Sequence, residues 1–284
     1  MRFFSPSSIP PRGKITLLLI ALLLGGSLLI EMRRETTRLA VLHRTLRLSK
    51  LPPDFRSLKI AVAADFHIKD KDLRSGRLAA VVDRINAEKP DLILLLGDFV
   101  NRTGANPPLA GSGNELRRLH APLGVFAVLG NHDYRYRLPD LRRMLESAGI
   151  TVLENRSVLL DTGSGPLRLA GVTDRSSGWI NYRAALPPTD DVATLLLSHS
   201  PKVLLDQPVR RADFVLAAHT HGGQIRLPLL RRLYPKGMYI GGGMPSFVTS
   251  GLGTSHVDLR LNCTPEIVIL TLKNRTGENS SSPL

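Results

Sequence analysis

The chain has 284 residues, and 43% of them are hydrophobic, so it can bury a sizeable core and is not a disordered protein. Its formal net charge is +14, and half of that excess lies in the first 50 residues, which hold nine Lys and Arg against two Glu. The single cysteine, Cys263, excludes an internal disulfide framework and a cysteine-based metal site, and it favours a reducing compartment.

The first predicted element is an apolar helix near the N-terminus. Residues 15–30 are uncharged and almost wholly apolar, and basic residues lie on both sides. A helix of this length measures roughly 24 Å, slightly less than the thickness of a hydrocarbon core. We expect a transmembrane anchor at 15–32, preceded by a cytoplasmic or otherwise exposed segment at 1–14. A cleaved signal peptide is the alternative, but the run lacks a clear small-x-small cleavage site. The many basic residues after the anchor favour a cytoplasmic location for the rest of the chain.

Residues 33–57 form a basic juxtamembrane segment that fits two structures. Leu39, Leu42 and Leu46 share one helical face, which would suit an amphipathic helix on a membrane surface. The alternation of apolar and basic residues at 46–48 is instead typical of an edge strand. The sequence leaves both alternatives open.

From residue 58 to 273 the pattern predicts one α/β domain, because short apolar strands alternate with amphipathic stretches. In the stretch 77–90, four apolar residues fall on one helical face. These are Leu78, Val81, Val82 and Ile85. We interpret the Gly- and Pro-rich segments 103–113 and 228–245 as long loops, and the polar tail 274–284 as disordered.

Five apolar runs of this domain end in Asp, Asn or His. These residues are Asp65 and His67, Asp98, Asn131 with His132 and Asp133, His199, and His219 with His221. The ligand crevice of an open α/β sheet lies beyond the carboxyl ends of the strands, so we expect these side chains to converge. Residues i and i+2 of an extended segment point to the same side, which would bring the Asp-x-His and His-x-His pairs into one pocket. A single buried histidine is more often structural, but five such strand ends together predict a cation site, because unpartnered buried polar groups cost about 2 to 7 kcal/mol each. Oxygen and imidazole ligands without cysteine suit Mn, Fe or Zn.

The motifs ADFH, GDFVN, GNHD, LSHSP and AHTHGGQ occur in this order and resemble the signature of the calcineurin-like metallophosphoesterases. The resemblance runs from about residue 58 to the strand near 265–272. It implies a sandwich of two β-sheets flanked by helices, and a metal-dependent hydrolase of phosphoric esters or pyrophosphates. Two positions depart from the usual pattern, Ala64 and Ala218, and neither replaces a ligand.

The resemblance also implies the roles of individual residues. One metal would be held by Asp65, His67, Asp98 and His221, and a second metal by Asp98, Asn131, His199 and His219. Asp98 would bridge two divalent ions, for which we expect Mn, with Fe and Zn as alternatives. His132 would contact the phosphate and protonate the leaving group. Asp133 would either orient a neighbouring histidine or act as a turn aspartate.

The anchor together with HTHGGQIRLP is similar to a membrane-bound bacterial branch that includes UDP-2,3-diacylglucosamine pyrophosphatases. We therefore expect an inner-membrane enzyme of lipid A biosynthesis that releases UMP and 2,3-diacylglucosamine 1-phosphate. Apolar residues between 229 and 247 would either receive acyl chains or pack beneath a long loop. They are Leu229, Leu230, Leu233, Tyr234, Met238, Tyr239, Met244 and Phe247, interspersed with Arg231, Arg232 and Lys236.

Two other functions compete with this interpretation. Basic charge would suit a nuclease or a generic phosphodiesterase, but that charge lies beside the anchor and no aromatic stacking series accompanies the motifs, so we expect no stable nucleic-acid partner. A non-catalytic anchored binding protein is expected to lack a ligand or His132, and none is missing. The sequence does not decide between a structural and a functional role for Asp174, Trp179 and Arg102.

Overall fold

The computed structural model describes residues 11–101, 109–175, 179–188, 190–226, 234, 236–255 and 257–275. In this part of the chain, two six-stranded sheets pack face to face and helices cover their outer faces, which confirms the predicted fold class. The strands are β1 Ala40–Leu48, β2 Leu58–Ala63, β3 Leu92–Leu95, β4 Val125–Ala127, β5 Ile150–Val152, β6 Arg156–Asp161, β7 Pro166–Gly171, β8 Ala193–Leu197, β9 Phe214–Ala217, β10 Gly237–Gly241, β11 Met244–Val248 and β12 Glu266–Asn274. The α-helices are α1 Pro11–Glu35, α2 Asp70–Arg74, α3 Arg77–Ala87, α4 Leu109–Leu116, α5 Leu138–Ser147 and α6 Tyr182–Ala185.

The first sheet has the order β1-β12-β2-β3-β4-β5, and the second has the order β10-β11-β9-β8-β7-β6. Strands β2 to β5 are mutually parallel, as are β7, β8, β9 and β11. Strand β12 enters the first sheet antiparallel to β2 and parallel to β1. The central parallel strands therefore deliver their carboxyl ends to the same edge of each sheet, where a ligand crevice is expected.

Three apolar layers hold the sandwich together. One lies between the sheets and includes Ile60, Leu94, Leu195 and Phe214, all of which are inaccessible to solvent. A second layer packs helices α3, α4 and α5 on the outer face of the first sheet. A third covers the outer face of the second sheet with α6 and the 3₁₀ turns at Pro201–Leu205 and Gln207–Arg211. Central strands covered on both faces are almost continuously apolar, as β3 and β8 are here.

The buried face of α3 consists of the four residues that the sequence pattern predicts. They are Leu78, Val81, Val82 and Ile85. The edge-strand interpretation of the juxtamembrane segment is confirmed, because β1 pairs with β12 from Ala40 to Leu48. The amphipathic-helix alternative is wrong, since β12 offers this stretch a backbone ladder that a helix on the membrane surface would leave unused.

The two segments that the sequence analysis interprets as long loops contain regular structure. Helix α4 begins at Leu109 within the first, and strands β10 and β11 occupy much of the second. The loop interpretation is wrong there because tertiary packing overrides the local preference of Gly and Pro. Glycines 242 and 243, both at positive φ, form the tight turn between β10 and β11.

Candidate metal centre

Seven of the predicted ligands come together where the carboxyl ends of the strands from both sheets meet. Each ligand follows a parallel strand by two to four residues, after β2, β3 and β4 in the first sheet and after β8 and β9 in the second. Three overlapping groups of His and Asp place one potential ligand atom each within 4.8 Å of one another. The groups are Asp65, His67 and His221; His67, Asp98 and His132; and Asp98, His199 and His219.

The first group lies around the loop that follows β2. Nε2 of His67 is 3.2 Å from Nε2 of His221 and 3.5 Å from Oδ2 of Asp98. Nε2 of His221 lies 3.8 Å from Oδ1 of Asp65. All four side chains are buried, so their lone pairs face one another and not water.

The second group is centred on His199. Its Nε2 is 3.2 Å from Oδ2 of Asp98, 3.2 Å from Oδ1 of Asn131 and 3.2 Å from Nδ1 of His219. Its Nδ1 lies 2.7 Å from the backbone carbonyl oxygen of Leu96, to which the protonated Nδ1 donates. This hydrogen bond fixes the ring orientation and leaves Nε2 directed at the cluster as a potential ligand atom.

The backbone at the site departs from the extended conformation on which the spacing argument relied. Five of the predicted ligands have φ between 42° and 69°, in the left-handed region: Asp65, His67, Asp98, His219 and His221. That conformation costs a non-glycine residue about 1 to 3 kcal/mol and persists where the surrounding structure imposes it. The i and i+2 residues therefore reach the cluster from tight turns. His219 and His221 join different ligand groups, whereas Asp65 and His67 share one.

Burial and mutual charge set the protonation of these groups. Burial lowers the pKa of His67 to about 3 and that of His219 to about 4, so both rings are neutral and able to bind a metal at physiological pH. Burial alone would raise the pKa of Asp98, but the adjacent His199 outweighs it and holds the pKa well below its usual value. For His199, burial lowers the pKa, but the carboxylates of Asp98 and Asp65 outweigh burial and raise it to about 10.

Asp65 shows that the cluster suits a cation. Burial raises the pKa of Asp65 to about 7, and its Oδ1 has no hydrogen-bond partner among the described residues. Because an unpaired carboxylate oxygen without access to water is costly, a cation placed between Asp65, His67 and His221 would compensate it. The donor set of carboxylate, amide and imidazole atoms fits a borderline divalent ion.

Asp133 accepts four backbone hydrogen bonds within the described ranges, and none of these four donors is a histidine. Its carboxylate receives the N–H groups of Asp98, Phe99, Val100 and Gly130, at 2.8 to 3.2 Å. It therefore clamps the loop after β3 to the loop after β4, and in this way fixes the backbone of Asp98. Of the two predicted roles, the turn aspartate accounts for the bond from Gly130, and the three bonds from the loop after β3 go beyond both roles.

A glycine-containing segment that sequence reasoning missed packs against the loop after β2. A Cβ atom on Gly251 would lie 2.5 Å from Cβ of Asp65, and one on Gly253 would lie 2.9 Å from Cβ of His67. The buried guanidinium of Arg260 donates to the carbonyl oxygens of this segment and of Cys263. The signal in the sequence is the GLG spacing at 251–253; the burial of Arg260 is seen only in the structure.

An open cleft of about 550 Å³ leads to the ligand cluster. Its wall combines ligands with residues of two further loops. The lining residues are Asp98, Asn131, His132, His219, Thr220, His221, Gly223, Gln224, Ile225, Ser255 and Val257. His132 is half-buried in this wall, its ring centre is 4.8 Å from that of His67, and its backbone N–H donates to Oδ1 of Asp98. The position allows its side chain to meet a molecule in the cleft.

The remaining sequence candidates are placed as follows. Asp174 is buried near the second ligand group: burial lowers the pKa of His219, and the negative charge of Asp174 opposes that shift, as it does at His199. Trp179 is 78% exposed and does not cap the core. Arg102 lies outside the described residues.

The proposed acyl-binding residues between 229 and 247 divide into four sets, one of which is Tyr234 alone, a partly buried residue outside the strands. Met244 and Phe247 are buried in the core, so the packing alternative is correct for them. Residues 229–233 lie outside the described part of the chain. Met238 and Tyr239 belong to β10 and pack against core clusters.

Sequence comparisons identify similar proteins over most of the chain. A family profile described as calcineurin-like phosphoesterase matches residues 58–223. Uncharacterized metallophosphoesterase YkoQ from Bacillus subtilis (strain 168) is 30% identical over 265 residues, which cover 88% of this chain and 97% of YkoQ. Phosphodiesterase YaeI from Escherichia coli (strain K12) is 32% identical over 245 residues, which cover 80% of this chain and 86% of YaeI. The solved structure of TT1561 from Thermus thermophilus aligns with a TM-score of 0.48 at 15% identity, over 69% of this chain and 91% of TT1561.

Proposed function

The chain belongs to the calcineurin-like phosphoesterase family of metal-dependent hydrolases, and from this premise we propose that it cleaves phosphodiester or pyrophosphate bonds with two divalent cations. The observation that carries the proposal is the convergence of overlapping ligand groups that share Asp98 at the seam between the sheets. Shared carboxylates of this kind are typical of two-metal hydrolytic sites.

The residues divide into two ligand sets. Asp65, His67, Asp98 and His221 would hold one cation; Asp98, Asn131, His199 and His219 would hold the other. We propose Mn, with Fe and Zn as alternatives, because the cluster contains no thiolate: Cys263 donates its S–H to the carbonyl oxygen of His221 and does not join the cluster. Two bound cations would draw in the phosphoryl group and lower the pKa of an attacking water molecule.

His132 is the proposed general acid. It lies in the wall of the cleft beside Asp98, where an imidazolium could donate a proton to the leaving-group oxygen. In the same position its ring could bind a metal ion together with His67 and Asp98, so a role as a metal ligand is the alternative. Metal content and activity of a His132 variant distinguish the two roles.

We further propose that the substrate is held in a bilayer. Among the described residues, one helix is long and apolar enough to cross a membrane, at Gly13–Glu35. Its final turn is buried against the domain at Met32 and Glu35, which supports a retained anchor over a cleaved signal sequence. The proposed substrate is UDP-2,3-diacylglucosamine, cleaved to UMP and 2,3-diacylglucosamine 1-phosphate at the bacterial inner membrane. The support for this substrate is the anchor and the sequence resemblance.

A generic phosphodiesterase is the second candidate, and one observation favours it: the relative YaeI is named a phosphodiesterase. The two candidates differ in how strongly they depend on acyl chains. Burial of four CH₂ groups at about 0.8 kcal/mol each would favour the acylated substrate by roughly 200-fold. A generic enzyme would be indifferent to these chains.

The test uses the purified full chain reconstituted with Mn. UDP-2,3-diacylglucosamine, UDP-glucosamine, bis-p-nitrophenyl phosphate and single-stranded DNA are assayed side by side. We expect kcat/KM for the diacylated substrate to exceed that for UDP-glucosamine by at least about 100-fold. Equal kcat/KM for these two substrates would refute the acylated substrate and support a generic phosphodiesterase. A preference for DNA would favour a nuclease.

A further inference from the structure

The end of α1 is fixed to the domain by a network of hydrogen bonds. The Glu35 carboxylate, in a side chain that is only 6% exposed, accepts from three donors of one loop. They are the N–H groups of Asn262 and Cys263, at 2.9 and 2.7 Å, and the Thr264 hydroxyl, at 3.2 Å. The N–H of Arg260 donates to the Met32 carbonyl oxygen at 3.0 Å. Helix α1 therefore meets the domain as a rigid extension and not as a flexible tether.

The loop that holds α1 also forms one rim of the catalytic cleft. We call residues 224–226 and 257–261 the rim strip. Leu261 exchanges backbone hydrogen bonds of 2.9 Å with Gln224 and Arg226, and Nε2 of Gln224 donates to the Val257 carbonyl oxygen at 2.7 Å. Gln224, Ile225 and Val257 also line the cleft. The same few residues thus connect the mouth of the site to the end of the helix.

Helix α1 indicates where a bilayer would lie. Eleven large apolar side chains between Ile15 and Ile30 are 47% to 71% exposed, and they surround the helix on all sides. The span Gly13–Glu35 has 23 residues and would measure roughly 35 Å, enough to cross a hydrocarbon core. The exposed Arg33 and Arg34 follow Ile30 within four residues, so the headgroup region falls at the last turn of α1.

The rim strip is bound to this turn through the N–H of Arg260, which donates to Met32. It also carries an exposed apolar side chain, Val257, and an exposed cation, Arg226. Apolar and basic groups together suit the interface of an anionic leaflet. We propose that the rim strip rests on the bilayer surface, so that the cleft admits an amphiphilic phosphoester whose phosphoryl group stays at headgroup level. The identity of the substrate in this inference rests on the proposed phosphoesterase function. The position of the rim strip does not.

A matched pair of labelled variants tests the position. Val257→Cys and Leu159→Cys each replace an exposed aliphatic side chain, 49% and 59% exposed. Leu159 is the control position because it lies at the opposite end of β1 from α1. It lines a surface depression together with Gly165, and Gly165 contacts Pro52, which follows the end of β1. The nine residues of β1 lead away from α1 by roughly 30 Å. The native Cys263 is fully buried and should not react.

Each full-length variant is labelled with an environment-sensitive fluorophore and reconstituted into vesicles of anionic and zwitterionic phospholipid that carry a headgroup-level quencher. We expect quenching of the label at position 257 to be at least about 5-fold stronger than at position 159, because a headgroup-level quencher acts over only a few ångströms. Equal quenching at both positions, or none at 257, overturns the proposal.

The readout is independent of catalysis, so the two proposals fail in distinguishable ways. Selective quenching at position 257, together with an unlabelled wild-type protein that hydrolyses no phosphoester, supports the membrane-facing rim and refutes the proposed function. Hydrolysis of the diacylated substrate without selective quenching refutes the membrane-facing rim and leaves the proposed function standing. Metal content of both labelled variants, measured on the same samples, establishes that the site remains folded.

Discussion

Oδ2 of Asp98 and Nε2 of His199 lie 3.2 Å apart across the seam between the two sheets. Asp98 follows β3 of the first sheet, and His199 follows β8 of the second. Neither sheet alone would bring these groups together, because each contributes only part of the ligand cluster. The packing of the apolar layer between the sheets therefore sets the geometry of the site.

His132→Ala should separate acid catalysis from metal binding. We expect it to retain the metal while losing activity on substrates with poor leaving groups by about 10²-fold or more, the usual range for general acid catalysis. Steady-state kinetics and metal analysis on the same preparation check this. His120→Ala, which removes an exposed histidine that belongs to none of the ligand groups, is the control. Parallel loss of metal and activity would make His132 a ligand instead.

The ligand residues could be predicted from the sequence because each follows an apolar strand, and the carboxyl ends of parallel strands meet at one edge. The backbone conformation that presents these ligands could not be predicted from the sequence. Asp65 and His67 have positive φ, and Gly251 and Gly253 pack so closely against them that a Cβ atom at either glycine would overlap. These glycines lie almost 190 positions away in the chain, so the local spacing of the motif residues does not reveal the contact.

Gly251→Ala should disrupt the site through that packing. A methyl group there would overlap the Asp65 carboxylate, and the alanine would also adopt φ of 63°. We expect destabilisation of about 1 to 3 kcal/mol and weaker metal binding. Gly163→Ala is the matched control, because φ is 75° there but no atom lies within 4 Å of the added methyl group. Urea unfolding and metal titration compare them, and equal effects would show that only backbone strain matters.

The Asp65 carboxyl predicts a pH dependence of the metal-free protein. Burial raises its pKa from 3.8 to about 7 on folding. Its contribution to stability is therefore fully present below pH 3.8 and is lost as the pH rises to about 7, where the folded state must hold a buried carboxylate. Asp65→Asn should remove this loss, so that the variant exceeds the wild type in stability by more than about 1 kcal/mol above pH 7. Urea unfolding in chelator across this range tests it; a difference that does not grow with pH contradicts the prediction.

The basic residues beyond α1 lead us to propose a cytoplasmic orientation of the domain. We expect the domain to resist added protease in right-side-out spheroplasts and to be digested in inverted vesicles. Immunoblotting of the catalytic domain provides the readout, with detergent-permeabilised samples as the control for access. The reverse pattern would place the domain on the outer face of the membrane.

Two other features of the fold were beyond sequence reasoning for different physical reasons. Edge strand β1 was one of two alternatives, and only its partner β12, more than 200 residues later, decides between them. In the sequence Glu35 is only a charge near the anchor, but in the structure its carboxylate is buried and accepts hydrogen bonds from the backbone N–H groups of Asn262 and Cys263. Both outcomes depend on long-range backbone hydrogen bonds, which a local pattern does not specify.

The metal content of the wild type and of Asp98→Ala tests the central claim most directly. Elemental analysis of purified, folded protein after reconstitution with Mn should give two ions per wild-type chain, with hydrolysis of bis-p-nitrophenyl phosphate abolished by chelation and restored by Mn. Asp98→Ala should weaken both sites together, because its carboxylate lies in two of the ligand groups. A wild-type protein that remains folded but holds no metal would contradict the account.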